Sequence, residues 1–222
     1  MTTALILSGG VFHDCPATSG LLAAQLRELG CEAEITEDLE AGLARLDQFD
    51  LLVVNALRWR MLGEKYDPYR DSLAYSPSAV ARKAVVDHLE RGRGLLAMHS
   101  AVICFDDWPG WGDILGAQWA WGRSGHPPLG PVHIHVEPGA HPLARGLGDF
   151  ELEDEIYGFL DQRPGLEPQL TSPHGGADHP LLWVKPAHGG RVAVDLLGHG
   201  PESYAVPEHR TIIGRAMAWV LQ

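Results

Sequence analysis

Residues 94–100 read Gly-Leu-Leu-Ala-Met-His-Ser, and the fold follows from that stretch. Four apolar residues, 95–98, stand between the glycines at 92 and 94 and the polar His99-Ser100, which is the pattern of a short strand buried on both faces. Two earlier runs repeat it. Residues 4–7 end at Ser8-Gly9-Gly10, and residues 51–54 run into Asn55. Helical stripes lie between them: Leu22, Leu26 and Leu29, with Thr18 or Ser19 as N-cap and Gly30 as the stop, then Ala81, Val85 and Leu89 between Pro77 and Gly92. Residues 32–36 read as a further short strand. Alternation of this kind demands right-handed crossovers and a mostly parallel sheet covered by helices on both faces, an α/β sandwich.

Between residues 56 and 75 the periodicity stops, and Trp59, Tyr66, Pro68, Tyr69 and Tyr75 stand among charges over more chain than a routine connection needs. The segment reads as a functional flap. The second half adds strands at 131–137, 150–160, 181–184 and 192–197, with few helical signals until Ile213, Ala216, Met217 and Val220 share a final helical face. No repeat or linker interrupts residues 1–222, so one domain is expected.

Composition removes several functions. The 222 residues carry 17 Lys and Arg against 29 Asp and Glu, a formal charge of −12, which repels phosphate backbones; nucleic acid is not expected as a partner. With 45% hydrophobic and 21% charged residues the chain belongs with folded globules. Cys15, Cys31 and Cys104 are widely spaced with no CxxC pair, which fits a reducing, cytoplasmic setting. The opening residues lack a signal-peptide pattern and no stretch reaches the ~20 apolar residues of a membrane span, so no membrane partner is expected.

In an open α/β sheet, ligands bind beyond the carboxyl ends of the strands. That rule selects Ser8, Gly9, Gly10 and His13 after the first strand, Asn55 and Trp59 after the third, and His99 and Ser100 after the fourth. There is no GxGxxG and no GxxxxGK[ST], so nucleotide binding has no support. His99-Ser100 occupies the place of a nucleophile elbow, a sharp turn that lifts one side chain above the sheet, although the flanking glycines of GxSxG are missing. A histidine there transfers protons near neutral pH or ligates a metal; satisfaction by backbone carbonyls is the plainer outcome.

Two further strand ends attract attention. In Asp154-Glu155-Ile156-Tyr157, residues 155 and 157 point one way and Asp154 the other, so one carboxylate can reach a site while its neighbour anchors a loop. His199 lies between Gly198 and Gly200, which let backbone approach a substrate. His133 and His135 share one strand face, where solvent exposure is the simpler outcome, and His88, on the polar side of its helix, receives no role. Nor do His174, His179 and His188, which fall in Gly- and Pro-rich segments.

An ordered series of these segments carries a family resemblance. It comprises His13, residues 94–100, Leu115-Gly116-Ala117 leading to His126-Pro127, His141-Pro142-Leu143, Asp154-Glu155-Ile156-Tyr157, Trp183, Gly190-Arg191-Val192 with Gly198-His199, and Ala216-Met217-Ala218-Trp219. The chain resembles the ThuA-like, trehalose-utilisation proteins of the class I glutamine amidotransferase-like superfamily over nearly its full length. The resemblance implies a flavodoxin-like three-layer sandwich with extra strands in the second half, and a part in carbohydrate metabolism that includes disaccharides oxidised at a ring hydroxyl. The elbow cysteine of the amidotransferases is replaced here by His99-Ser100, with Cys104 too late, and His199 and Glu202 depart from the His-x-Glu spacing, so a glutaminase is not expected.

The resemblance then supports an enzyme acting on a sugar, keto-sugar or keto-glycoside by proton transfer. His99 and His199 are the acid and base candidates and Glu155 the supporting carboxylate, with His13, Ser100, Trp108, His126 and Tyr157 as substrate contacts. A second version adds a divalent metal held by His99, His199 or His13 with a carboxylate. No other cofactor is implied. The alternative is a sugar-binding or regulatory module without catalysis, and self-association into a homo-oligomer is open in either case.

Overall fold

The computed structural model describes residues 1–138 and 141–222. The apolar runs of the first half become β1 (Thr2–Gly9), β2 (Cys31–Thr36), β3 (Leu51–Ala56) and β4 (Gly94–Met98), connected through α1 (Cys15–Glu28), α2 (Leu39–Leu43), α3 (Asp67–Leu73) and α4 (Ala79–Glu90). Next come α5 (Pro109–Leu115), β5 (Ala117–Gln118), β6 (Gly130–Val136), β7 (Phe150–Asp154) and β8 (Asp161–Gln162). The chain finishes with β9 (Pro168–His174), β10 (Ala177–Ala187), β11 (Gly190–Asp195), α6 (Pro201–Ala205) and α7 (Pro207–Val220).

Nine strands form one sheet in the order β2-β1-β3-β4-β11-β10-β9-β6-β7, while β5 and β8 pair separately. The first five are mutually parallel. The remaining four extend the sheet as antiparallel neighbours, the extra strands expected of the second half. Every residue of β3 and β4 is buried, as a sheet covered on both faces requires. Each fully buried Leu or Val, such as Val53 and Leu96, contributes about 1.5–3 kcal/mol relative to exposure. The decisive placement is β11. It comes late in the sequence yet lies beside β4, in register from Val192 opposite Leu95 to Asp195 opposite Met98, so the turns after both strands open on the same edge.

Several expectations need correction. Asp14, not Thr18 or Ser19, caps α1: its carboxylate accepts from the Ala17 N–H, and Pro16 in the first turn has no N–H to leave unsatisfied. Thr18 and Ser19 are buried instead, both accepting from the Asn55 amide, so Asn55 anchors a helix and does not face a ligand. Within the flap of residues 56–75, a 3-10 turn at Glu64–Tyr66 and α3 supply order, and the Tyr75 N–H donates to the Trp59 carbonyl at 2.9 Å. The strand expected over 150–160 stops at Asp154. His88 is buried on the core face of α4 and bonds the Gly94 carbonyl through Nε2 at 2.9 Å; His179 is buried within β10.

Candidate active site

The turn after β4 is a 3-10 turn, His99–Val102, entered through a left-handed backbone at His99 with φ of 42°. A histidine held there is strained by about 1–3 kcal/mol, a cost that surrounding structure must offset. The sharp reversal points the His99 ring back across the strand ends, where Nδ1 donates to the Leu196 carbonyl at 2.8 Å, just past β11. Only a protonated nitrogen satisfies a carbonyl, which leaves Nε2 to face the site. Ser100 turns the other way and donates to the Ala56 carbonyl at 2.9 Å, which closes the end of β3 and keeps it off the cavity wall.

Three other segments meet His99. The loop after β1 brings His13, whose Nδ1 donates to the Val11 carbonyl at 3.2 Å and whose Nε2 lies 3.1 Å from His99 Nε2. The end of β7 brings Glu155, with Oε2 at 3.7 Å from His99 Nε2 and 4.0 Å from His13 Nε2. The turn after β11 brings His199, whose Nδ1 is 3.2 Å from Glu155 Oε2 but off the line of a directed hydrogen bond, so the contact is an ion pair. One donor atom from each of His13, His99, Glu155 and His199 lies within 4.8 Å of all the others. His126 stands at the rim, Nδ1 3.2 Å from Glu155 Oε1, and the Tyr157 hydroxyl donates to His13 Nε2 at 3.3 Å.

Asp154 fixes this arrangement. Fully buried, its carboxylate accepts from the backbone N–H of Glu155 at 2.8 Å, Gly198 at 2.7 Å and His199 at 3.2 Å. One buried charge thus ties the end of β7 to the turn after β11, and with them the two side chains that contribute the carboxylate and the outer imidazole.

The surroundings separate the proton affinities of these groups. Burial, reinforced by the nearby His99 and His199, lowers the His13 pKa to about 4, so its ring is neutral. Burial pushes the Glu155 carboxyl upward, but contacts with His199 and His99 outweigh it and hold the group well below the usual carboxylate range. The Glu155 contact in turn raises His199 above an ordinary histidine, against the opposing effect of burial. An ionised carboxylate, an imidazole inclined to hold its proton and a neutral imidazole therefore adjoin one another. Thiol chemistry is disfavoured in the same region: burial pushes Cys104 up to about 12 and Cys15 up to about 11.

A cavity of about 460 Å³ opens above His13, Glu155 and His199 and is walled by aromatic rings. Trp59 and Trp121 lie 6.1 Å apart at 30°, and Trp119 meets Tyr157 edge-on at 5.4 Å. Phe12 and Trp121 remain 59% and 48% exposed at the mouth, as rings awaiting a flat apolar face do. Of the residues selected from sequence, the structure brings His13, His99, His126, Glu155, Tyr157 and His199 together. His99 is the floor, beneath the cavity wall and 2% exposed. Trp108 does not join them: it stacks on Trp111 at 5.9 Å beside Arg82, because it precedes α5 and packs onto that helix. Trp119 and Trp121 take the place expected of it, from a loop with no periodic signal.

Among the described residues, no helix is long and apolar enough to cross a membrane. No curated protein matches the sequence. A solved structure from Parabacteroides merdae ATCC 43184, described as ThuA-like, is 15% identical with a TM-score of 0.80, over 100% of this chain and 90% of that one. A second protein so described, from Bacteroides uniformis ATCC 8492, is 18% identical with a TM-score of 0.72, over 99% and 91% of the two chains. A cytoplasmic protein from Salmonella typhimurium LT2 is 13% identical with a TM-score of 0.67, over 99% of each. At these identities the likeness is one of fold. The sequence itself matches the ThuA family, described as trehalose utilisation, over residues 3–220, and the chain belongs to that family.

Proposed function

We propose that this chain is an enzyme that moves a proton on the carbon beside the carbonyl of an oxidised sugar, most simply a keto-glycoside. Membership of a trehalose-utilisation family supports the carbohydrate. The single observation that carries the chemistry is the convergence of His13, Glu155 and His199 at the base of an aromatic-walled cavity, with their proton affinities pushed in opposite directions. A carbonyl acidifies its neighbouring C–H bond, so a modest base suffices if the enolate oxygen is met by a proton donor. His199, whose hold on a proton the Glu155 contact strengthens, is that donor; the lone pair of His13 or Glu155 takes the carbon-bound proton. His99, sealed under them, reaches a substrate only through His13 and Glu155 and acts by positioning them. Trp121 and Phe12 supply flat faces for sugar rings, with Trp59 backing Trp121, and His126 closes the rim. The three free, buried cysteines and the cytoplasmic Salmonella relative support a cytoplasmic setting.

The test is incubation of the purified chain with native and oxidised disaccharides in D2O, followed by NMR. Deuterium uptake beside the carbonyl, or conversion of the keto-sugar, is the expected result, and His199→Ala lowers the rate about 10²–10⁴-fold. Tight sugar binding without exchange or product over long incubation overturns the proposal in favour of a sugar-binding module.

A further inference from the structure

Two imidazole nitrogens 3.1 Å apart make a hydrogen bond only if a proton lies between them. In His13 and His99 the other ring nitrogen is already committed, Nδ1 donating to Val11 and to Leu196, so with both rings neutral the two Nε2 atoms present lone pairs to each other. His199 adds a buried Nδ1 with no directed hydrogen bond, and Glu155 adds a carboxylate oxygen 3.2 Å from it. In their deprotonated forms these four ligand atoms converge on one point, and the Tyr157 hydroxyl reaches His13 Nε2 from beside it.

From this geometry we infer that His13, His99, Glu155 and His199 are the ligands of a divalent first-row transition ion of the zinc or manganese type. Bonds of 2.0–2.1 Å in a tetrahedral site put neighbouring ligand atoms about 3.3 Å apart. Four of the six separations among these donors, at 3.1, 3.2, 3.7 and 4.0 Å, bracket that edge, and the other two stay within 4.8 Å. Three imidazoles with one carboxylate suit such ions, whereas calcium and magnesium prefer oxygen throughout. The outer contacts are those of a metal site: the committed Nδ1 atoms fix both tautomers, and Asp154 holds the backbone of Glu155 and His199. The cavity gives an entry path and room for an oxygen ligand from a substrate. A seated ion would polarise that oxygen as a Lewis acid, replacing direct protonation by an imidazole. The inference concerns binding and stands without the sugar proposal.

The full chain, stripped with chelator and dialysed, is titrated with Zn2+ or Mn2+ and assayed by calorimetry and elemental analysis, with Co2+ as a spectroscopic probe. One ion per chain is expected, with a raised melting temperature and intense visible Co2+ bands of low coordination number. Glu155→Gln and His13→Ala each weaken binding by at least about 100-fold, while His133→Ala, on an exposed face of β6, leaves it unchanged. Should a variant fail to fold, the Co2+ spectrum of the unaltered chain decides. Absence of stoichiometric uptake, a spectrum of hydrated Co2+, or affinity in both ligand variants equal to that of the unaltered chain overturns the inference. All these readouts omit sugar. Turnover of a keto-sugar by chain proven free of metal would leave the proposed reaction standing and remove the ion from it.

Discussion

Two groups of histidine and carboxylate lie close together in this fold and have opposite characters. Beneath the sheet edge, His209 is fully buried between Asp195, 3.1 Å from its Nε2, and Ser203, whose hydroxyl and carbonyl lie 3.0 and 2.9 Å from its Nδ1. Asp195 also accepts from the Leu197 N–H at 3.0 Å. Every hydrogen-bonding atom of that histidine is satisfied within the chain. Around Glu155 the same residue types leave lone pairs facing one another below an open cavity. Residue identity does not separate the two groups; the difference lies in which polar atoms the fold has left without partners. The closed group is expected to carry stability and the open one chemistry.

The sharpest way to break that contrast is to exchange the effects. Glu155→Gln should lower turnover by about 10²–10⁴-fold and move the melting temperature by only a few degrees; a large loss of stability would make the open group structural. His209→Leu should do the reverse. It strands the buried Asp195 charge, costing about 3–5 kcal/mol, or roughly 10 °C for a chain of this length, as read by denaturant and thermal melts.

The pH dependence of stability sharpens the comparison. Burial lowers the His88 pKa from 6.5 to about 4, so between those values the unfolded chain binds a proton that the folded chain refuses. That stability is present above pH 6.5 and lost as the pH falls toward 4, about 3 kcal/mol in all. For His209 burial opposes the charge, but Asp195 outweighs it and raises the pKa. Its contribution is therefore present below the unfolded value and lost as the pH rises through the folded one. Urea melts from acid to alkaline pH should show both limbs; His88→Gln should shrink the acid limb, leaving the share of His13, and spare the alkaline one. The smallest effect belongs to the rim. Trp121→Ala should raise KM several-fold, about 1 kcal/mol of ring stacking, whereas Trp108→Ala should leave KM unchanged because that ring packs on Trp111.

The parallel half of the fold was legible because β1, β3 and β4 are apolar on both faces, a pattern that no exposed segment imitates. β9 was not: Pro168 and Pro173 and the buried polar pair Thr171 and Ser172 disguise a strand that is paired on both sides. His88 carried an overlooked signal, since it lies three residues after Val85 and seven after Ala81, on the stripe that α4 buries. The site was half legible. Strand ends pointed to His13, His99 and His199, and the alternation at 154 and 155 separated an anchoring carboxylate from a reaching one. Trp119 and Trp121 gave no such indication, because a loop residue's neighbours are set by tertiary contacts and not by period. His209, the heart of the closed group, lies on the buried stripe of α7, three and four residues before Ile212 and Ile213, and its role becomes recognisable only once Asp195 is placed opposite it.

The insertion of β11 between β4 and β10 has a consequence for biogenesis. A nascent chain emerging from the ribosome holds His13, His99 and Glu155 early, yet His199 arrives only after Asp195 has been placed in the middle of the sheet. No truncated product ending before that strand can assemble the centre. Its formation therefore reports that the chain has been made through the turn after β11 and that this strand has taken its place.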